Sequence, residues 1–302
     1  MPPPPPPPVV SKYFYVLAIL LGVAIGVSVV NMFVLPYILG KVTMQNKVEN
    51  FDDSPPSPSD VVIYTVVTDP QHENLLKLQS SIVNKGLVDG DNFRVLVSGE
   101  PIGYKKGHGA KITLLYEALA NLPDRSALVM LVDGYDVLFV ASVKEIVSKY
   151  LELVEQKPDK TIIFCSEIYC WPDSHKAAHY DSVFPAGVET ESPYRFLNSG
   201  FFMGPASDIM ELIRPMLSDV KQATDDQRFY TERYLKGDSP IQLDTECNLT
   251  QCLASDMKDH IVWDDQQERW CNKETGAYPC IMHGNGDGKA FLFSTIEEKQ
   301  GV

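Results

Sequence analysis

The stretch Leu128–Phe139, LVMLVDGYDVLF, decides the fold. Its first five residues are apolar, the apolar run ends at Asp133, and a second carboxylate follows at Asp136. Such a run is typical of a strand buried on both faces of a parallel sheet. Ligands of open α/β sheets bind beyond the carboxyl ends of the strands. The two acids therefore predict a site for a hard divalent cation with oxygen ligands. The alternative is a solvated turn in which an Asp caps the next helix.

Strand-like and helix-like segments alternate on both sides of this stretch. The predicted strands and helices around it are Val61–Val67, Phe93–Val97, His108–Ala120, Val143–Val154 and Thr161–Cys165. This alternation predicts an α/β fold with a doubly wound, mostly parallel sheet flanked by helices. The second half is less regular, with a short strand predicted at Phe201–Met203. We expect residues 61–302 to form one domain.

Composition excludes one class of function. The 302 residues carry a formal net charge of −14. Proteins that follow a nucleic-acid backbone need clustered Lys and Arg, so nucleic acid is not an expected partner.

The first 60 residues have their own organisation. Residues 1–12 contain seven consecutive prolines and predict an extended cytosolic tail. Residues 13–39 are almost wholly apolar and long enough to cross a bilayer, so we expect an uncleaved transmembrane signal anchor. Residues 40–60 predict a disordered stem.

The topology expected from this anchor is type II, with the folded domain in the lumen of the endoplasmic reticulum or Golgi. Two features of the folded part favour that orientation. Six cysteines are compatible with disulfides in an oxidising compartment, and Asn248-Leu249-Thr250 is a glycosylation acceptor sequence.

The second informative segment is the loop His283–Lys289, HGNGDGK. Histidine offers a neutral nitrogen ligand, glycines let backbone N–H groups approach phosphates, and lysine adds a positive charge. The loop could therefore complete the metal site and hold a pyrophosphate. The alternative is a flexible surface loop with an incidental histidine.

Several other motifs have plain structural explanations. Thr224-Asp225-Asp226-Gln227 fits a capping box with Thr224 as the N-cap of a helix over Thr224–Leu235. Asn198-Ser199-Gly200 could be a turn, Trp171-Pro172 a packed loop, and Lys111 a solvated lysine.

The order of five motifs adds a resemblance. VDGYD, SEIYCWPD (Ser166–Asp173), RFLNSGFFMG (Arg195–Gly204), DDQRFYT (Asp225–Thr231) and HGNG (His283–Gly286) resemble the glycosyltransferase domain of procollagen lysyl hydroxylases and related collagen glycosyltransferases. The similarity spans about Val61 to Lys289. His283-x-x-Gly286-x-x-Lys289 also resembles the pyrophosphate loop of glycogenin-like transferases.

The resemblance implies a GT-A fold, a UDP-glucose or UDP-galactose donor, Mn²⁺ and a protein or glycan acceptor. It implies metal ligands at Asp133, Asp136 and His283. Donor contacts are implied at Thr68, Lys111, Tyr135, Gly284, Asn285, Gly286 and Lys289. Residues around the sugar and acceptor are implied at Glu167, Trp171, Asn198, Asp225 and Asp226, with Trp171 as a gate.

Two departures from the lysyl hydroxylases qualify the expected activity. No dioxygenase domain is expected in this sequence, so lysine hydroxylation is not expected either, and the chain is expected to have its own anchor. The expected function is metal-dependent transfer of a hexose from a UDP-sugar to a hydroxyl, such as hydroxylysine or galactosyl-hydroxylysine of a collagen-like protein. The alternatives are an inactive sugar- or protein-binding relative and a nucleotide-sugar hydrolase.

Overall fold

A six-stranded sheet lies at the centre of the computed structural model, which describes residues 61–86, 92–103, 106–183 and 192–300. The strands are β1 (Val61–Val67), β2 (Phe93–Val97), β3 (Leu128–Asp133), β4 (Val137–Phe139), β5 (Ile162–Glu167), β6 (Phe196–Pro205), β7 (Ile241–Asp244), β8 (Thr250–Cys252), β9 (Ile261–Asp264), β10 (Arg269–Asn272) and β11 (Ile281–His283). The central sheet has the order β2-β1-β3-β6-β5-β7. The strand predicted from Leu128–Val132 is thus an interior strand.

The central sheet is mixed, because β6 runs antiparallel to both of its neighbours, β3 and β5. The pairings β1/β2, β1/β3 and β5/β7 are parallel. As a result, the first residues of β6 lie at the same edge of the sheet as the last residues of β3 and β5. The pairing of Cys165 with Asn198 and of Val132 with Phe201 shows this directly.

Helices cover both faces of the sheet, as the doubly wound prediction requires. They are α1 (Glu73–Asn84), α2 (Gly109–Ala120), α3 (Val143–Gln156), α4 (Ala177–Val183), α5 (Ala206–Ile213), α6 (Asp226–Leu235), α7 (Gly288–Phe291) and α8 (Glu297–Gln300). Alternate residues of β1 point to opposite faces. Ile63 packs in the core formed with α1 and α3, and Tyr64 packs in the core formed with α2, α5 and α6.

A small three-stranded sheet, β4-β11-β8, adjoins the carboxyl end of β3. In it β11 is antiparallel to β4 and parallel to β8. Strands β9 and β10 form a separate antiparallel pair. The small sheet brings the C-terminal strand β11 beside the stretch that follows Asp133.

One element prediction was wrong. The segment predicted as a possible turn, Asn198-Ser199-Gly200, lies within the ten-residue strand β6, which also extends the short strand predicted at Phe201–Met203. The pairing with β5 changes register between Phe164 and Cys165, which marks a β-bulge. Polar and small residues such as these are typical of turns. Here they stay in the strand because of their buried contacts with other elements, which the next subsection describes.

The N-terminal predictions lie outside the described residues, including the anchor over 13–39. Among the residues that the structure describes, none of the helices has the length and apolar character needed to cross a membrane. All six cysteines are free thiols, so the disulfides considered from the sequence are not formed.

Candidate active site

Three predicted metal ligands come together at the junction of the two sheets. Nε2 of His283 lies 3.7 Å from Asp133 Oδ2 and 3.9 Å from Asp136 Oδ1. One ligand atom from each of the three residues lies within 4.8 Å of the others. The acids are partly exposed and the histidine is buried. Two carboxylates and an imidazole suit a divalent cation such as Mn²⁺.

Backbone pairing places the histidine. Asp133 ends β3, and Asp136 immediately precedes β4, in which Val137 pairs with His283 of β11. The N–H of Gly284 donates to the carbonyl of Asp136 at 2.7 Å. The register of two short strands therefore sets the distance between groups that are far apart in the chain.

Burial and mutual charge set the ionisation of these three residues. Burial raises the pKa of Asp136, and the nearby Asp133 carboxylate raises it further. Burial alone would also raise the pKa of Asp133, but the nearby Lys111 and His283 lower that pKa overall. Burial alone would lower the pKa of His283, yet the Cys165 thiol and the two acids raise it to about 9. A cation bound here would replace that proton as the positive charge between the acids.

Lys111 is buried in the site and is not the solvated lysine considered from the sequence. Its Nζ donates to Asp133 Oδ1 at 2.6 Å and to Asp226 Oδ2 at 3.0 Å. Burial alone would lower the pKa of Lys111, but the two carboxylates raise it overall. Lys111 therefore joins the end of β3 to the start of α6 as a permanent cation.

Lys289 supplies a second positive charge. Its Nζ lies 3.5 Å from Asp136 Oδ2, and its side chain is 43% exposed. An exposed ammonium group beside the carboxylates can contact a ligand that approaches them from solvent. In the same loop, Gly286 has a φ of +57°, a left-handed conformation that favours glycine.

Glu167, at the end of β5, is buried and held by three side-chain amides. Asn198 and Gln227 donate to Oε1 at 3.0 and 2.8 Å, and Asn285 donates to Oε2 at 3.1 Å. Burial raises the pKa of Glu167, and these donors oppose that rise because they stabilise the carboxylate.

Each of these amides is oriented by backbone N–H groups. The side-chain oxygen of Asn198 accepts from Gly200 N, and that of Gln227 accepts from Ser199 N. The oxygen of Asn285 accepts from the N–H groups of Leu253 and Ala254. The amide nitrogens must therefore face Glu167. Asn285, predicted near the phosphates, links the glycine-rich loop to this carboxylate.

The start of α6 differs from the prediction. Asp225, and not Thr224, is the N-cap, and its Oδ1 accepts from Arg228 N at 2.9 Å. Thr224 Oγ1 instead accepts from Lys221 N. Asp is as good an N-cap as Thr, so the sequence does not separate the two registers. The helix consequently points Asp226 at Lys111.

Tyr135 and Thr68 meet at the end of β1, at one side of the acids. The Tyr135 hydroxyl accepts from Asp69 N at 2.7 Å and from Thr68 N at 3.1 Å. Its ring lies against His72, with 4.4 Å between the ring centroids. Trp171 is linked to Glu167 through Gln227, whose amide donates to the Trp171 carbonyl and to the Glu167 carboxylate, and Trp171 is 53% exposed.

Sequence reasoning missed several residues of the site. Gln227 was treated only as a capping residue. His108 has its Nδ1 buried at 3.5 Å from Asp226 Oδ1, and Gly200 lies against the His283 ring. Cys165 and Cys252 are buried beside the same ring. No local pattern indicates these contacts, since each joins distant elements.

The arrangement combines the exposed side chains of Lys289 and Trp171, a cluster of carboxylates around an imidazole, and a buried carboxylate held by amides. Such a site can hold a cation against an anionic ligand and place a carboxylate near a neutral polyol. It lies where α/β sheets bind ligands, beyond the carboxyl ends of β1, β3 and β5.

Comparisons with known proteins identify the fold and the family. A solved structure of a glycosyltransferase involved in glycosylation of the major capsid of PBCV-1 aligns with a TM-score of 0.50 and 13% identity, covering 80% of this chain and 99% of that chain. This similarity shows a glycosyltransferase-like fold.

Similar sequences are longer proteins. The uncharacterized protein R699 of Acanthamoeba polyphaga mimivirus is 35% identical over 195 residues, which is 65% of this chain and 39% of the relative. The human multifunctional procollagen lysine hydroxylase and glycosyltransferase LH3 is 28% identical over 250 residues, which is 79% of this chain and 31% of the relative. This chain thus spans less than half the length of either.

A family model described as the PLOD GT domain matches residues 58–296. That range contains both sheets and every site residue described above, and it confirms the resemblance predicted from the five motifs. The chain therefore belongs to the PLOD GT domain family and is a glycosyltransferase domain related to the collagen glycosyltransferases.

Proposed function

We propose that this chain is a metal-dependent GT-A glycosyltransferase that moves glucose or galactose from a UDP-sugar to a hydroxyl acceptor. The observation that carries the proposal is the convergence of Asp133, Asp136 and the Nε2 atom of His283. Their donor atoms fit Mn²⁺, which would stabilise negative charge on the departing diphosphate.

The donor side of the site is assigned from exposure and charge. Lys289 is the exposed cation beside Asp136, and we propose that it contacts the diphosphate. Gly284 and Gly286 give the loop a close backbone approach to the phosphates. Tyr135 and Thr68 would hold the base or ribose, and Lys111 would act through Asp133, to which it is bonded.

The acceptor side lies between Glu167 and the start of α6. An acceptor hydroxyl that attacks with inversion needs a carboxylate base. Glu167, Asp225 and Asp226 are the candidates, and Asn198 orients Glu167. Retention would need a nucleophilic carboxylate or attack on the same face, assisted by the leaving phosphate. Trp171, exposed beyond Glu167, would cover the bound sugar.

The proposed acceptor is hydroxylysine or galactosyl-hydroxylysine of a collagen-like protein. The support comes from relatives described as procollagen lysine hydroxylases and glycosyltransferases in human and Caenorhabditis elegans. The domain shared with them is the one that contains the site.

A donor panel tests the proposal. The purified chain is incubated with Mn²⁺ and several UDP-sugars, with and without hydroxylysine or galactosyl-hydroxylysine. Acceptor-dependent release of UDP and a glycosylated product are expected. Free sugar released regardless of acceptor would indicate a hydrolase. Binding of UDP-sugar without turnover would indicate a sugar-binding module, and either result would contradict the proposal.

Substitution of Asp136 tests the site assignment. Asp136→Ala and the isosteric Asp136→Asn should each lower transfer by more than about 100-fold, because a direct ligand should matter at least as much as the residues that orient ligands. Measured without divalent ions, the melting temperature should not fall, because the substitution removes a partly buried acid that lies close to Asp133. Asp159→Asn, at a side chain that is 74% exposed, is the matched control and should keep full activity. Wild-type-like transfer in either Asp136 variant would refute the assignment.

We also propose that residues 13–39 anchor the chain in the membrane of the endoplasmic reticulum or Golgi, with the domain in the lumen. The support is the apolar length of that segment. The acceptor sequence Asn248–Thr250 lies partly in β8, where Thr250 is buried, so a glycan there would be added before folding. The full chain should remain in membranes after carbonate extraction, and a chain without residues 13–39 should not. Extraction of the full chain would contradict the anchor.

A further inference from the structure

Two thiols lie near the edge of the His283 ring that points away from the carboxylates. Nδ1 of His283 lies 3.8 Å from Cys252 Sγ, while Nε2 points to Asp133 and Asp136. Single ligand atoms of Cys165, Cys252 and His283 all lie within 4.8 Å of one another. Both cysteines are 0% exposed and the histidine is 2% exposed. The imidazole thus separates a carboxylate cluster from a thiol cluster.

We propose that Cys165, Cys252 and Nδ1 of His283 form a second cation site, selective for a thiophilic divalent ion such as Zn²⁺. Thiolate and imidazole are the ligands that Zn²⁺ prefers, whereas carboxylates suit Mn²⁺. The two clusters therefore differ in the ions that they select, although they share one ring.

The observed spacing fits such an ion. Zn–S and Zn–N bonds of about 2.3 and 2.0 Å at a tetrahedral angle place sulfur and nitrogen about 3.5 Å apart. The distance between Cys252 Sγ and His283 Nδ1 is 3.8 Å, so only a small shift is needed.

A possible oxygen ligand lies close to Cys165. The carbonyl and side-chain oxygens of Asn198 lie 3.2 and 3.4 Å from Cys165 Sγ. A fourth ligand can come from one of these oxygens. The cluster lies where β5, β6, β8 and β11 meet, so each ligand is fixed by a paired strand.

Occupancy of the two sites should be coupled through the ring. A neutral imidazole has one nitrogen lone pair, so an ion on Nδ1 leaves the ring proton on Nε2. A cation among the carboxylates then lacks its nitrogen ligand and should bind less tightly. The effect is reciprocal, as it is for any pair of linked binding sites. The thiol site would thereby allow a thiophilic ion to lower metal affinity at the proposed catalytic centre.

Cobalt titration tests the site without reference to sugar transfer, so its outcome is independent of the proposed function. Co²⁺ bound by thiolates gives a charge-transfer absorption in the near ultraviolet that Co²⁺ bound by carboxylates lacks. The full chain carrying Asp133→Asn and Asp136→Asn, which silence the carboxylate site, should bind one equivalent of Co²⁺ with this absorption. Added Zn²⁺ should abolish it.

The control separates this cluster from the other thiols. Adding Cys165→Ser and Cys252→Ser should remove the absorption, whereas adding Cys170→Ser and Cys271→Ser, at the two partly exposed cysteines, should leave it unchanged. Circular dichroism shows whether the chain with Cys165→Ser and Cys252→Ser is still folded. If it is unfolded, the single Cys252→Ser variant should still weaken Co²⁺ binding by at least about tenfold. Absorption that survives without Cys165 and Cys252, or that is absent when they are present, would overturn the proposal.

In the unsubstituted chain the coupling has its own readout. Saturation with Zn²⁺ should weaken Mn²⁺ binding, measured by the Mn²⁺ electron paramagnetic resonance signal, by at least about fivefold. The Cys165→Ser, Cys252→Ser chain should show only the direct competition of Zn²⁺ for the carboxylates. Equal weakening in both chains would contradict the coupling.

Discussion

At the scale of single residues, Gly200 shows how closely the site is packed. A Cβ at this position would lie 2.0 Å from Cε1 of His283 and 2.6 Å from both ring nitrogens. Its neighbours in β6 are paired, Phe201 with Val132 of β3 and Asn198 with Cys165 of β5, so the backbone at Gly200 has little freedom to move away. The absence of a side chain at residue 200 is therefore a condition for the position of the imidazole.

Gly200→Ala should displace the His283 ring. We expect Mn²⁺ affinity to fall by at least about tenfold, and the free energy of unfolding to fall by about 1–3 kcal/mol, as in other overpacked cores. Calorimetric titration and denaturant unfolding measure the two effects. Gly99→Ala is the control, since a Cβ there meets nothing within 4 Å. Unchanged Mn²⁺ affinity in Gly200→Ala would show that the ring does not need this space.

Asp225 has two separable properties, a capping oxygen and a charge. Asp225→Asn keeps an N-cap of equal rank, so its free energy of unfolding should stay within about 0.5 kcal/mol of the wild type, whereas Asp225→Ala should lose about 1 kcal/mol. If the carboxylate acts on the acceptor, both variants should lose about 100-fold or more in transfer. Full activity in Asp225→Asn would restrict Asp225 to a capping role.

Individual candidate ligands could be predicted from the sequence only where a motif contained them. Asp133 and Asp136 follow a buried strand, and His283 belongs to a motif of the family. Gln227 and Gly200 act through contacts between distant strands and helices, which no local pattern encodes. The register of a capping residue also escaped prediction, because Thr224 and Asp225 are both good N-caps.

At the scale of elements, the turn between β7 and β8 depends on one buried carboxylate. Asp244 is 0% exposed and accepts from the N–H groups of Asn248, Leu249 and Thr250 at 2.9, 2.7 and 3.2 Å. Burial raises the pKa of Asp244 to about 6, although these donors oppose the rise. The turn in question leads into the strand that contains Cys252.

This raised pKa makes the stability of the turn depend on pH. An Asp in the unfolded chain has a pKa of about 3.9, so between that pH and about 6 the folded state binds a proton that the unfolded state has lost. Relative to Asp244→Asn, which does not titrate, the wild-type free energy of unfolding should fall by up to about 3 kcal/mol as the pH rises through this window. Urea unfolding of both proteins at several pH values measures the difference. A constant difference would contradict the raised pKa.

The elements themselves were largely predictable in the first half of the domain, where buried strands and amphipathic helices alternate. The predictions weakened at β6, because Asn198 and Gly200 carry turn-like residue types inside a buried strand. There the partners Glu167 and His283, supplied by other elements, outweigh local propensity. The small sheet was equally hard to foresee, since its strands are only three residues long.

At the scale of the whole molecule, a cation bound at the carboxylate cluster would stabilise the fold. Asp133 and Asp136 lie in a partly buried site beside the imidazole of His283, with Lys111 next to Asp133 and Lys289 next to Asp136. A ligand that binds only the folded state stabilises it, by about 2.7 kcal/mol at a free concentration 100 times its Kd. The domain should thus be less stable without metal.

Removal of divalent ions by a chelator should lower the melting temperature, and added Mn²⁺ should restore it in a concentration-dependent way. The chain with Asp133→Asn and Asp136→Asn should show no response to Mn²⁺ at the same concentrations. Differential scanning fluorimetry provides the comparison. An equal Mn²⁺ response in both chains would place the stabilising ion elsewhere.

The pairing of β11 with β4 has a consequence for how the protein is made. The six-stranded sheet is complete once β7 has been synthesised, but the imidazole arrives only with β11. A nascent polypeptide that has passed residue 244 but not residue 283 contains both acids and still lacks the imidazole of the proposed metal site. Incomplete or truncated polypeptides should therefore lack the proposed transferase activity. That activity would appear only after the last strand, β11, has been synthesised.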